Sequence, residues 1–328
     1  LIPAQSVDDL VREVHDIGDM RDVSIRKLWF LCALLVPGMV VLACSSSEEP
    51  AQLSYSNDPA DYSVDSSLGY RLEVSEPTWI VPSGSLPPEV EVMPSNNNVD
   101  IAFFEGSLFL AWRTAPTHFA SDETRMYVLS STDEGVTWDF EVEVALGTDI
   151  REPRLLSYQG VLKLMFFEGG SDPLRFSPRA IWSATRKSLG DWSEAQVLID
   201  DAEVPWDIKV RNGLAYMTSY TGAHYGGEEG GGLDLHFKYS VDGETWEFVD
   251  DQPFVYRGGV SEAAFELDRG GSLWAVTRNE DGDSSGKGSH ICRADAQSLG
   301  SWTCSAKSSP HRYDSPEMFR HGEEIYLV

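Results

Sequence analysis

The sequence predicts an all-β protein, a β-propeller built from four-stranded antiparallel blades, on three observations. Four tryptophans that close hairpin-like turns, Trp138, Trp192, Trp246 and Trp302, are separated by 54, 54 and 56 residues. Each follows a glycine, in STDEGVTW, KSLGDW, SVDGETW and QSLGSW (Gly135, Gly190, Gly243 and Gly300). Between them, short runs rich in aromatic and β-branched residues alternate with turn residues, and no segment after residue 50 sustains a helical period over three turns. A unit repeated at this spacing and carrying four such runs is a propeller blade.

The chain opens differently. Residues 1–19 precede Met20 and read as upstream sequence that belongs to no fold. Residues 20–43 read as a secretory signal: Arg21, Arg26 and Lys27 precede the 16-residue apolar run LWFLCALLVPGMVVLA, which Pro37 and Gly38 interrupt. That run falls short of the roughly 20 apolar residues a spanning helix needs. VLAC resembles the lipobox of bacterial lipoproteins, with Val41 where Leu is commonest. The resemblance implies cleavage before Cys44, lipidation of Cys44, and an exported protein held at a membrane by its lipid, in the periplasm or at the cell surface. Residues 44–70, rich in Ser and Asp, read as a flexible linker, and 71–328 as the propeller.

Within the propeller the first runs are DIAFFE, PRLLSY, DIKVR and AAFELD, followed after a turn by LFLAWR, LKLMFFE, LAYMTSY and LWAVTRN. The third runs are RMYVLS, RAIWSAT, LHFKYS and HICRAD, and each Trp hairpin leads to a fourth. A fifth unit starts in YDSPEMFRHGEEIYLV and stops at Val328, so the propeller reads as C-terminally incomplete, with five or six blades. Residues 71–95 are expected to supply a strand that closes the ring. Cys32 lies in the signal, which leaves Cys292 and Cys304 to form a disulfide across a short turn or to stay as buried thiols.

The turn STDEGVTW holds more than a turn needs. Its Asp133 is placed to accept hydrogen bonds from backbone N–H groups of the turn, Gly135 to take a positive φ, and Trp138 to pack beneath. Ser131, Asp133, Gly135, Thr137 and Trp138 resemble the Asp-box of sialidases and other propellers. SVDGETW, with Ser240, Asp242, Gly243, Thr245 and Trp246, is the same box one residue shorter. The resemblance implies a structural role, on the face opposite the usual site.

Charge narrows the partners. Lys and Arg number 25 against 53 Asp and Glu, a formal charge of -28 that repels phosphate backbones, so no nucleic acid is expected. No Cys/His cluster has zinc spacing, and neither a metal nor a cofactor is expected. Asp281 and Asp283 are spaced like the start of a calcium loop, but the Glu at its twelfth position is missing. TGAHYGGEEGGG (221–232) reads as a surface loop or a lid on the site face.

Acids stand at the first-strand starts, Asp100, Glu152, Asp207, Glu262 and Glu317, at steps of 52, 55, 55 and 55 residues, and the second strands end in Arg113, Glu168, Tyr220 and Arg278. A ring of carboxyls with arginines around one mouth suits glycoside chemistry, in which one carboxyl protonates the leaving oxygen and a second acts as base or nucleophile. Such acids also cap unpaired backbone N–H groups. SEAAFELDRGGSLWAVTRN is similar to the sialidase segment in which a Glu sets up a nucleophilic Tyr and a later Arg binds the sugar carboxylate. FLAWRTAPTHFASDETRMYVLSSTDEGVTW also resembles that family's first blade. Together the likenesses imply catalytic roles for Glu262, Tyr313 and Asp122 and substrate binding by Arg278 and Arg113; the ring adds Asp100, Asp207, Glu152 and Glu317 as candidate substrate-binding acids. VDIAF replaces the family's opening Arg-Ile-Pro. Asp100, Asp207 and Glu262 also resemble the base, orienting and acid groups of five-bladed arabinanases and xylosidases. The expected partner is a glycan, hydrolysed by a sialidase-like or furanosidase-like enzyme or bound by a non-catalytic propeller that presents a surface to polysaccharide or protein.

Overall fold

The computed structural model describes residues 75–225, 232–322 and 324–328. The signal, Cys44 and the linker to residue 70 lie outside them.

The described chain is a β-propeller of four complete blades followed by a two-stranded sheet. Blade 1 is the meander β1 (Ser95–Phe104), β2 (Ser107–Ala115), β3 (Arg125–Ser131) and β4 (Asp139–Val144). Blade 2 has β5 (Asp149–Tyr158), β6 (Val161–Gly170) and β7 (Ile181–Ser188), with its outer strand split into β8 (Asp191–Trp192) and β9 (Gln196–Ile199). Blade 3 repeats that plan with β10 (Val204–Arg211), β11 (Leu214–Gly222), β12 (Leu233–Ser240), β13 (Glu247–Phe248) and β14 (Tyr256–Gly258). Blade 4 has β15 (Val260–Leu267), β16 (Leu273–Asp283), β17 (Gly286–Ala294) and β18 (Thr303–Cys304); β19 (Met318–His321) and β20 (Glu324–Leu327) follow. Successive first strands pack on one another, β1 on β5, β5 on β10, β10 on β15 and β15 on β19, so they line the central channel.

The repeated tryptophans cement each blade to the one before it. Trp192 packs with Phe104, Phe109 and Val128 of blade 1, Trp246 with Leu156 and Met165 of blade 2, and Trp302 with Phe237 of blade 3. Among the described residues no blade precedes blade 1 for Trp138 to meet. Ile80, Val81, Leu86 and Val90 cover it together with Trp112 and Tyr127. Residues 75–94 therefore flank blade 1 and form no strand, in contrast to the ring-closing strand expected of them. Pro77, Pro82, Pro87, Pro88 and Pro94 lack the N–H a ladder requires.

The two Ser/Asp turns are held by their own side chains. Asp133 Oδ1 accepts the Thr137 N–H at 2.8 Å, Oδ2 accepts the Thr137 hydroxyl at 2.7 Å, and Ser131 Oγ accepts the Gly135 N–H at 2.8 Å. Asp242 Oδ1 likewise accepts the N–H groups of Glu244 and Thr245, both at 2.8 Å. Gly135 has φ +84°, and a Cβ there would stand 3.1 Å from the Trp138 ring. Cys292 and Cys304 are paired residues of β17 and β18 and form a disulfide.

Candidate functional site

Each first strand ends in a hairpin with the second, so positions count back from that hairpin in equal steps. Four residues before the last paired residue lie Asp100 in β1, Arg154 in β5, Asp207 in β10, Ala263 in β15 and Glu317 just ahead of β19. The five acids of the sequence pattern are thus not one ring. Asp100, Asp207 and Glu317 share a layer with Arg154, while Glu152 and Glu262 lie nearer the strand starts. All four first strands are irregular in register at this depth, between Asn97 and Val99, Arg151 and Arg154, Pro205 and Asp207, and Val260 and Glu262. These irregularities precede the layer, so depth follows the distance to the hairpin and not the even spacing of the acids along the chain, which the connections between hairpins set.

In the deeper layer the acids join blades. Asp100 Oδ2 accepts the Leu155 N–H of blade 2 at 2.6 Å, and Asp207 Oδ2 accepts the Phe265 N–H of blade 4 at 2.9 Å. Arg154, which the sequence pattern did not single out, lies 3.5 Å from Glu152 and 5.1 Å above the Trp206 ring. Its only local signal is a charge placed inside the run PRLLSY. Lys209 Nζ stands 2.5 Å from Asp207 and 2.7 Å from Glu317. Burial raises the Asp100 carboxyl to about 6 against the pull of Arg154. Burial, with the charge of Glu317, raises Asp207 to about 7 against Lys209.

Glu262 and Arg278 define the mouth. They are paired residues of β15 and β16, and Arg278 Nη1 donates to Glu262 Oε1 at 2.5 Å. Arg278 also lies 2.6 Å from Glu280 and 2.8 Å from Asp314. Glu262 Oε2 accepts the Ser315 N–H at 2.9 Å, and only 8% of the residue is exposed. Burial pushes its carboxyl up to about 7; Arg278 opposes this and Glu152 adds to it. Burial raises Glu152 as well, against Arg154 and Arg151. Tyr220, also buried, is lifted far above the usual phenol range by burial and by Glu262 and Glu152, so it remains an O–H donor beside both acids.

The remaining residues of the sialidase likeness stand elsewhere. Arg113 is fully buried, and its guanidinium donates to Asp149 at 2.7 and 3.0 Å, to Asn97 Oδ1 at 3.1 Å and to the Phe119 carbonyl at 3.1 Å, so it ties blade 1 to blade 2. Asp122 is exposed on the β2–β3 connection, and no described hydrogen bond or ion pair joins it to Glu262 or Arg278. Tyr313 packs with Ala264, Val276 and Met318 between blade 4 and the β19–β20 sheet, and its N–H donates to Ser289 Oγ. Asp281 and Asp283 turn to different partners: Asp281 accepts the Tyr225 N–H at 3.2 Å, and Asp283 accepts the Tyr256 hydroxyl at 2.7 Å. A cleft of about 270 Å³ on the opposite, turn-bearing face is lined by Leu156, Tyr158, Lys163, Asp242 and Glu244, among others. Lys163 and Glu244 form an ion pair within it.

No protein-family model and no curated protein matches the chain. Similar solved structures include the sialidase of Trypanosoma rangeli in complex with sialic acid (14% identity over 65% of this chain and 38% of that one, TM-score 0.47). They also include Zg3597, a family 117 glycoside hydrolase of Zobellia galactanivorans (15% identity, 70% of this chain and 74% of that one, TM-score 0.47). A third is the α-L-arabinanase of Penicillium chrysogenum complexed with arabinobiose (19% identity, 67% of this chain and 65% of that one, TM-score 0.45). The chain spans well under half the length of the trypanosomal sialidase.

Proposed function

We propose that this propeller is a glycoside hydrolase that acts on carbohydrate at its channel mouth, with Glu262 as proton donor and Glu152 as the second carboxyl. The observation that carries this reading is Glu262 itself. A carboxyl lifted to about 7 holds a proton near neutrality, which a glycosidic leaving oxygen requires, and a second raised carboxyl is close enough to influence it. Arg278 fixes the orientation of Glu262 through the hydrogen bond between them.

The finer sialidase reading, with Tyr313 as nucleophile, Asp122 as acid/base and a two-arginine clamp, draws less support. Arg113 has committed its donors within the fold. The furanosidase reading gains Asp100 and Asp207, but both hold backbone N–H groups of other blades. One observation favours a binding propeller without turnover: Glu262 also accepts a backbone N–H from the next unit, as Asp100 and Asp207 do. Hydrolysis of fluorogenic sialosides and arabinofuranosides by the full chain separates these readings. Turnover lost in Glu262→Gln supports the hydrolase, and a folded wild type that binds glycans without turnover supports the binding propeller.

We also propose that the protein is exported and anchored through a lipid on Cys44. The Cys292–Cys304 disulfide supports an oxidising compartment. Metabolic labelling with a palmitate analogue should mark the wild type and not Cys44→Ser; equal labelling of both would contradict the anchor.

A further inference from the structure

We propose that Tyr225 is a stacking platform for an uncharged sugar unit beside the Glu262 and Arg278 pair. This rests on the carbohydrate part of the reading above and not on hydrolysis.

Connections from three blades fix the Tyr225 ring. His224 stacks on it with centroids 3.7 Å apart and planes at 20°. Phe176, from the β6–β7 connection of blade 2, stands edge-on to His224 and Tyr225 at 5.5 and 5.9 Å. From the end of β16, Glu280 accepts the Tyr225 hydroxyl at 3.0 Å and Asp281 accepts its N–H at 3.2 Å. A tyrosine held at both ends and backed by a second ring is nevertheless 60% exposed. Core packing gives no reason for that arrangement. A rigid, exposed aromatic face loses little freedom when the C–H face of a sugar settles on it. Glu280 links the platform to the mouth, because it also binds Arg278 at 2.6 Å.

Charge selects the kind of sugar. Arg278 is shared among Glu262, Glu280 and Asp314, and Arg312 lies 3.0 Å from Glu280 and 3.2 Å from Asp314. Deeper in the channel, Arg154 and Lys209 are paired with Glu152, Asp207 and Glu317. An acidic sugar would have to displace one of these carboxylates and leave it without its cation. The hydroxyls of a neutral sugar can instead donate to Glu280 and Asp314. Arg175, exposed on the connection that carries Phe176, is the cation through which an acidic ligand would compete.

The test is a microarray of matched glycans, lactose beside 3′-sialyllactose and arabinan beside polygalacturonate, probed with the full chain, with isothermal titration of any neutral glycan retained. Binding to neutral members is expected, weakened about tenfold or more in Tyr225→Ala and kept within about threefold in Tyr225→Trp. Binding only to acidic members, above all if lost in Arg175→Ala, would overturn the proposal, as would unchanged binding by Tyr225→Ala or no binding at all. Hydrolysis measured in parallel separates the two readings. Tyr225-dependent binding without turnover removes the hydrolase and leaves the platform, whereas turnover of sialosides indifferent to Tyr225→Ala does the reverse.

Discussion

Glu262 and Arg278 face each other across the β15–β16 ladder at 2.5 Å, yet the carboxyl stays at about 7. Burial outweighs the arginine, with the charge of Glu152 adding to it, and Arg278 also pairs with Glu280 and Asp314. Removing that charge should raise Glu262 further. A carbon-13 NMR titration should place the Glu262 midpoint near 7 in the wild type and higher in Arg278→Gln; an unchanged or lower midpoint would mean that the pair is not coupled as the geometry requires.

The raised carboxyls should cost stability as pH rises from about 5 to 8. Glu262 and Asp207 titrate near 7 in the folded chain, above their ordinary values of 4.5 and 3.8, so the folded state holds more protons across that interval and loses stability as they leave. Burial lowers His118, His224 and His290 from 6.5, which acts with the opposite sign below that value. The histidine effect persists at 6.5, where the unfolded imidazoles are half protonated, so the Glu262 share is read as the difference between wild type and Glu262→Gln. The melting temperature of the wild type should decline relative to that of Glu262→Gln between about pH 5 and 8, by about 2–4 °C for each kcal/mol lost. A difference between the two proteins that stays constant over that range would contradict the raised Glu262 carboxyl.

Asp100 and Asp207 should behave as fasteners between blades. Asp100→Ala leaves the Leu155 N–H without its acceptor and should cost about 1–3 kcal/mol of unfolding free energy, whereas Asp100→Asn keeps an oxygen and should cost less. Urea unfolding at about pH 5, where burying the charge no longer offsets the bond, resolves the two. Equal effects of Asn and Ala would assign the residue some other role.

The Cys292–Cys304 bridge closes a short loop, its ends at a sequence separation of 12, onto the outer edge of blade 4. Cys292→Ala with Cys304→Ala should lower stability by about 2–4 kcal/mol in denaturant unfolding. A loss confined to a few tenths would show that β18 is held by packing of Trp302 instead.

The blades were legible because turns repeat locally: a Gly two or three residues before a Trp marks every outer hairpin, and apolar runs between turn residues mark the strands. Depth in the channel was not legible. Glu152 and Arg154 differ by two positions, and only the count back from the β5–β6 hairpin places Arg154, not Glu152, level with Asp100. Arg113 matched a substrate arginine by position along its strand, while the Asp149 that occupies it lies 36 residues away. Tyr225, Phe176 and Glu280 meet across three blades through connections whose lengths carry no periodic signal, so nothing in the chain's local pattern marks them as neighbours.

The most direct test of the central claim is the rate at which the full chain and Glu262→Gln hydrolyse fluorogenic glycosides, sialosides and arabinofuranosides included. The wild type should turn over at least one sugar class, and Glu262→Gln should fall by about 10²–10⁴-fold while keeping its melting temperature within a few degrees. Equal rates for the two proteins, or a folded wild type that cleaves none of the panel, would contradict the assignment of Glu262 as the proton donor of a glycosidase.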